Sequence, residues 1–259
     1  MKTLMPATAL LITFHLLTGC ASIGNPYIPT KNDWKQSASA AAENPASWLP
    51  VVGAIAIVAT NSDGNLSNYA SSHNPVFGSG ENAEKFAKDG KTALEALAFG
   101  SVLITPQSQP KLNWFEEKGR NLVAAYAAQS FANGATGALK GWTDRERPNG
   151  RNNHSFPSGH ASVAAASAAI IASNIDQFQL DPLPRVLLKT TAYAASTGVA
   201  WARVESQAHY PTDILVGLGL GNFISETIYD AFLHAGLANT QVAFIPMEGG
   251  ALLTLHVGF

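Results

Sequence analysis

From about residue 48 to about residue 235 the chain is a succession of alanine-rich apolar segments, roughly 48–60, 80–104, 114–140, 159–174, 183–203 and 211–235. Polar breakers at 61–79, 105–110 and 145–157 part them. Segments of this length and character predict about six core helices. Alanine and glycine dominate over leucine and isoleucine, which suits helices packed closely through small residues. The clean apolar runs reach only about 11 residues in 50–60 and about 13 in 161–173, where a membrane span needs about 20. Segments 80–104 and 114–140 carry Glu, Lys and Arg within their length. The expected fold is therefore all-α, a helical bundle with a buried core rather than six membrane spans, over residues 48–238.

Composition narrows the function. Only 13% of residues are charged, against about 25% in an average protein, which excludes a disordered chain. A net charge of −2 argues against a nucleic-acid partner, which would demand a basic excess.

The two ends have their own patterns. Met1-Lys2 precedes a mostly apolar run from Leu4 to Leu17, and the segment ends Leu17-Thr18-Gly19-Cys20. A charged start, a short apolar run and a small-residue exit describe a secretory signal peptide over 1–19. The exit resembles the bacterial lipobox, which implies lipidation of Cys20, the one cysteine of the chain. Ala21, not Asp, follows, and that resemblance implies an outer-membrane location facing the periplasm. Residues 20–47 read as a lipidated tether, with a short helix around 35–42. At the other end Leu253, Leu255, Val257 and Phe259 alternate with Thr254, His256 and Gly258 after Gly249-Gly250. That alternation predicts a C-terminal β-hairpin over 239–259, packed on the bundle.

Between 140 and 213 three clusters share one chemistry. Lys140 is followed by Arg147-Pro148; then comes Pro157-Ser158-Gly159-His160; then Arg203, His209 and Asp213. Arg147 and Arg203 offer planar forks matched to phosphate oxygens, and Lys140 adds a compact charge. Ser158 reads as an N-cap, so the N–H groups of Gly159 and His160 would face outward at a helix start, a natural anion site. Pro211 suits a first helical turn, which puts His209 just ahead of a helix and Asp213 within reach of it. A carboxylate bonded to one imidazole nitrogen leaves the other free to attack, and His160 is then available as general acid.

Lys-x6-Arg-Pro, Pro-Ser-Gly-His and Arg-x5-His-x3-Asp, in this order, resemble the three signature motifs of the type 2 phosphatidic acid phosphatase family. That resemblance implies a metal-independent phosphatase with no cofactor. His209 would form a phosphohistidine, Asp213 would orient it, and His160 would protonate the leaving alcohol. Lys140, Arg147, Ser158, Gly159 and Arg203 would hold the phosphoryl group. Ala202 stands where the family's third motif usually has Ser. The implied substrate is a phosphorylated lipid or a small phosphate ester. Two alternatives remain open at this level: a vanadium-dependent haloperoxidase, or a non-catalytic phosphate-binding lipoprotein. Outside the motifs, Arg145 and Glu146 read as a solvated helix end. Asp144 and Glu205 read as charge-balancing neighbours, and substrate specificity is expected in loops 61–79 and 105–113.

Overall fold

The computed structural model describes residues 29–107 and 112–234, together with the backbone of 240–247 and 250–257. Cys20 and the signal-peptide segment lie outside the described residues. Among the described residues there are eight helices: α1 Lys31–Glu43, α2 Pro45–Ala59, α3 Asp63–His73, α4 Gly80–Ile104, α5 Trp114–Thr143, α6 Gly159–Asp176, α7 Pro182–Glu205 and α8 Pro211–His234. Two strands follow, β1 Thr240–Met247 and β2 Gly250–Val257, antiparallel with Met247 opposite Gly250.

Local chemistry starts these helices where it should. Thr30 and Asn113 form capping boxes with Asp33 and Glu116, while Ser79 and Ser158 each accept an amide of the first turn. Six of the helices coincide with the expected segments. The other two extend the reading: the short helix expected around 35–42 runs from Lys31 to Glu43, and the loop expected over 61–79 contains a helix. α1 falls in the supposed tether, yet it docks on α8, with Trp34 edge-on to Phe232 at 5.9 Å and Asn44 Nδ2 donating to Glu226 at 2.8 Å. α3 falls in the supposed loop 61–79 and brings Asp63 against the start of α8.

α6 is the axis of the bundle and packs against α4, α5, α7 and α8. Every residue from Ala161 to Ile170 is buried, the pattern of a helix enclosed on all sides. α8 lies between α6 and α2. Its glycines make that possible: a Cβ on Gly217 would stand 2.7 Å from the Ser158 carbonyl, and one on Gly221 would overlap the Ser162 carbonyl. The closeness of these two backbones fixes the turn before α6 against the start of α8.

Among the described residues no single helix is long and apolar enough to cross a membrane. α1 and α2 together, bent by 49°, reach that length and composition.

Candidate active site

The motif residues converge where α5, α6, α7 and α8 meet. Ser158 caps α6, and its own amide donates to the Asp213 carbonyl at 2.9 Å, which joins the second motif to the third. Gly159 opens the helix, with Lys140 the nearest side chain to its missing Cβ at 4.0 Å. His160 follows on the first turn.

His209 is buried just ahead of α8. Its Nδ1 lies 2.7 Å from the Ser155 carbonyl and 3.6 Å from Asp213 Oδ2. The shorter contact is a hydrogen bond and the longer one is not. The direct acceptor is thus the Ser155 carbonyl, not the carboxylate expected from the sequence. A carbonyl only accepts, so Nδ1 carries the proton and Nε2 is left with its lone pair. Burial drives the His209 pKa down to about 4, against the opposing pull of Asp213, and the ring is neutral at neutral pH.

Asp213 is fully buried and well partnered. Oδ2 accepts from Ser155 Oγ at 2.5 Å and from the Tyr210 amide at 2.8 Å, and Oδ1 accepts from Arg145 Nη1 at 2.7 Å. Burial alone would raise its pKa. Its neighbours His209, Ser155, Arg145 and the Tyr210 amide outweigh that and hold it below the usual carboxylate value. Ser155 therefore binds both partners, through its hydroxyl to Asp213 and through its carbonyl to His209.

Arg145 is not a solvated helix end. It reaches Asp63 Oδ2 through Nη2 at 2.6 Å, Thr212 Oγ1 at 2.9 Å, and lies 4.1 Å over the Tyr210 ring. Asp63 also accepts from the Thr212 amide at 3.0 Å. Arg145 thus shares its charge between the two carboxylates.

The three cations among the expected phosphate ligands are held differently. Lys140 Nζ donates to the carbonyls of His154 at 2.9 Å and Pro157 at 2.6 Å. Arg147 Nε donates to Asn152 Oδ1 at 3.0 Å. Arg203 pairs with Glu84 of α4, and its buried Nε has no hydrogen-bond partner among the described residues. Burial lowers the pKa of all three, that of Lys140 to about 8. Burial, then Arg203 and Lys91, lowers His160 to about 4.

Arg145, Ser155, Asp63 and Glu84 are the residues that the sequence reading missed. Arg145 carried a usable signal, because it stands two positions before Arg147 on one extended segment. Asp63 and Glu84 carried none. Glu205 proved to be more than a balancing charge: it is buried and accepts from the Val76 and Phe77 amides and from Trp201 Nε1 at 3.0, 3.1 and 2.7 Å. It ties the segment between α3 and α4 to α7.

Residues 147–235 match the family model of the PAP2 superfamily. The matched segment takes in Arg147, Ser158, Gly159, His160, Arg203, His209 and Asp213, while Lys140 and Arg145 precede it. The bundle is also similar to the crystal structure of a transmembrane PAP2 type phosphatidylglycerolphosphate phosphatase from Bacillus subtilis. The TM-score is 0.53 at 18% identity, over 73% of this chain and 92% of that one. That likeness shows a shared helical fold. No curated protein matches the sequence.

Proposed function

We propose that this chain is a phosphatase that cleaves phosphate monoesters or pyrophosphates through a phosphohistidine on His209. One observation carries the reading: Nδ1 of buried His209 donates to the Ser155 carbonyl, so the lone pair of Nε2 is free for attack. Three cations stand in the same site, and the unpaired buried Nε of Arg203 is a donor suited to a phosphoryl oxygen. The PAP2 match of residues 147–235 supports the same class.

In the first step Nε2 bonds to phosphorus as the phosphorus–oxygen bond to the alcohol breaks, and His160 delivers a proton to the leaving oxygen. In the second, His160 takes a proton from water, the hydroxide attacks phosphorus, and the electron pair returns to Nε2 as phosphate departs. His160 is neutral in the free site. A phosphate dianion offsets the Arg203 and Lys91 charges and raises its pKa, so that it can act as an acid. Lys140, Arg147 and Arg203 supply positive charge where negative charge develops, the electrostatic role that a metal ion fills elsewhere.

A lipid-phosphate substrate and a location on the periplasmic side of a bacterial outer membrane, anchored at Cys20, complete the reading. Helix α2 supports contact with a membrane: Trp48, Leu49, Val52, Ile55 and Val58 are exposed, and no charged residue occurs from Pro45 to Thr60.

The test is hydrolysis of p-nitrophenyl phosphate in EDTA, with trapping of the phosphoprotein by an alkaline detergent quench, since phosphohistidine survives base and not acid. Turnover and trapped phosphate that both vanish in His209→Ala are expected. Turnover that survives in His209→Ala would overturn the mechanism. For the anchor, Cys20→Ala is expected to release the protein from membranes.

A further inference from the structure

We infer that the cavity beside His160 is the leaving-group subsite and that it takes a short, hydroxyl-rich alcohol. The inference rests on the phosphatase reading and specifies the substrate of that site. The cavity holds about 340 Å³ between α4, α5 and α6, within the range of small-molecule sites. His160 forms part of its wall, with Lys91 and Glu95 from α4 and Tyr126, Ser130 and Asn133 from α5.

The geometry of the reaction sets what goes there. The oxygen that leaves is the one protonated by His160, so the alcohol it belongs to lies on the His160 side of the phosphoryl group. That side is lined with donors and acceptors. Lys91 Nζ and Glu95 Oε2 form an ion pair at 2.6 Å, with both side chains about a quarter exposed. Ser130 and Asn133 present a hydroxyl and an amide, and Tyr126 a phenol.

A hydrocarbon leaving group would strip water from these groups and return no hydrogen bonds. A polyol replaces the water bond for bond. Among the described residues an apolar groove lies elsewhere, between α2 and α8, walled by Trp48, Val52, Leu220 and Phe223. The shared chemistry is a phosphorylated polyol, either a free ester such as glycerol 3-phosphate or the same group as a lipid headgroup.

The experiment compares release of inorganic phosphate from glycerol 3-phosphate and from n-propyl phosphate, which has the same carbons and no hydroxyls. p-Nitrophenyl phosphate is run beside them. We expect kcat/KM to favour the glycerol ester by about tenfold or more, the value of one good hydrogen bond. Asn133→Leu and Ser130→Leu should each compress that ratio. A ratio near one in the unaltered chain, with p-nitrophenyl phosphate turned over, overturns the inference and leaves the phosphatase reading standing. No turnover of any of the three overturns the phosphatase reading itself. A third arm presents the glycerophosphate headgroup on a diacyl lipid in detergent micelles. Preference for the micellar substrate assigns the headgroup, and preference for glycerol 3-phosphate assigns the free ester.

Discussion

Arg145 Nη1 lies 2.7 Å from Asp213 Oδ1, and this ion pair fixes the charge behind the proposed nucleophile. Asp213 is fully buried, so without a cation its carboxylate would have only Ser155 Oγ and the Tyr210 amide to stabilise it. We expect Arg145→Ala to lower kcat by about 10- to 100-fold, the usual cost of losing a partner that orients a reacting group. Arg145→Lys restores charge but not the fork that spans Asp213 and Asp63, and should recover part of the rate. Kinetics and thermal melting measured together check this, and a folded Arg145→Ala protein with full kcat would contradict it.

The alkaline side of the activity profile should report Lys140. Its pKa is lowered to about 8 by burial and by Arg147, so the free site loses a positive charge as pH rises through that value. The profile of kcat/KM, which reads the free enzyme, should fall above about pH 8. In Lys140→Arg, whose charge persists, the fall should move to higher pH.

Acid should weaken the fold through the two histidines. His160 and His209 have folded pKa values of about 4, below the ordinary 6.5. Between these limits the unfolded chain binds protons that the folded chain refuses. Stability is therefore complete above about 6.5 and is lost as pH falls towards 4. Melting temperatures from pH 7.5 down to 4.5 should decline, and less steeply in His160→Gln. A flat profile would contradict the burial of neutral histidines.

The contact of α6 with α8 should tolerate no side chain at Gly221. A Cβ there would overlap the Ser162 carbonyl, and overpacking of this kind costs about 1–3 kcal/mol or more. Gly134, inside α5 with nothing within 4 Å of its missing Cβ, gives the contrast. Gly134→Ala should stabilise by about 0.5–1 kcal/mol. Denaturant unfolding of both variants checks the pair.

Much of the architecture was legible because helices announce themselves locally. The apolar runs, Ser158 ahead of α6 and Pro211 at the start of α8 act within a turn or two of where they stand. α3 was harder to read, and α1 was read only over 35–42. α3 is polar over most of its length, with Leu66, Tyr69 and Ala70 as its larger or buried apolar positions, and it is a helix because Asp63 and Ala70 find partners on other elements. α1 likewise has mixed polarity and gains its place by docking on α8.

The sequence by itself determined the six long helices and the order of the cationic, serine-glycine-histidine and histidine-aspartate clusters. Motif spacing and helix starts are properties of neighbouring residues, so they survive without the fold. Only the tertiary structure decided how the charges are shared. Asp63 meets Arg145 across 82 residues and Glu84 meets Arg203 across 119, and neither pairing leaves a trace in local spacing. It also decided the acceptor of His209. The Ser155 carbonyl, 54 positions away, outcompetes the carboxylate four positions on, because the packing of α6 against α8 brings that backbone in first.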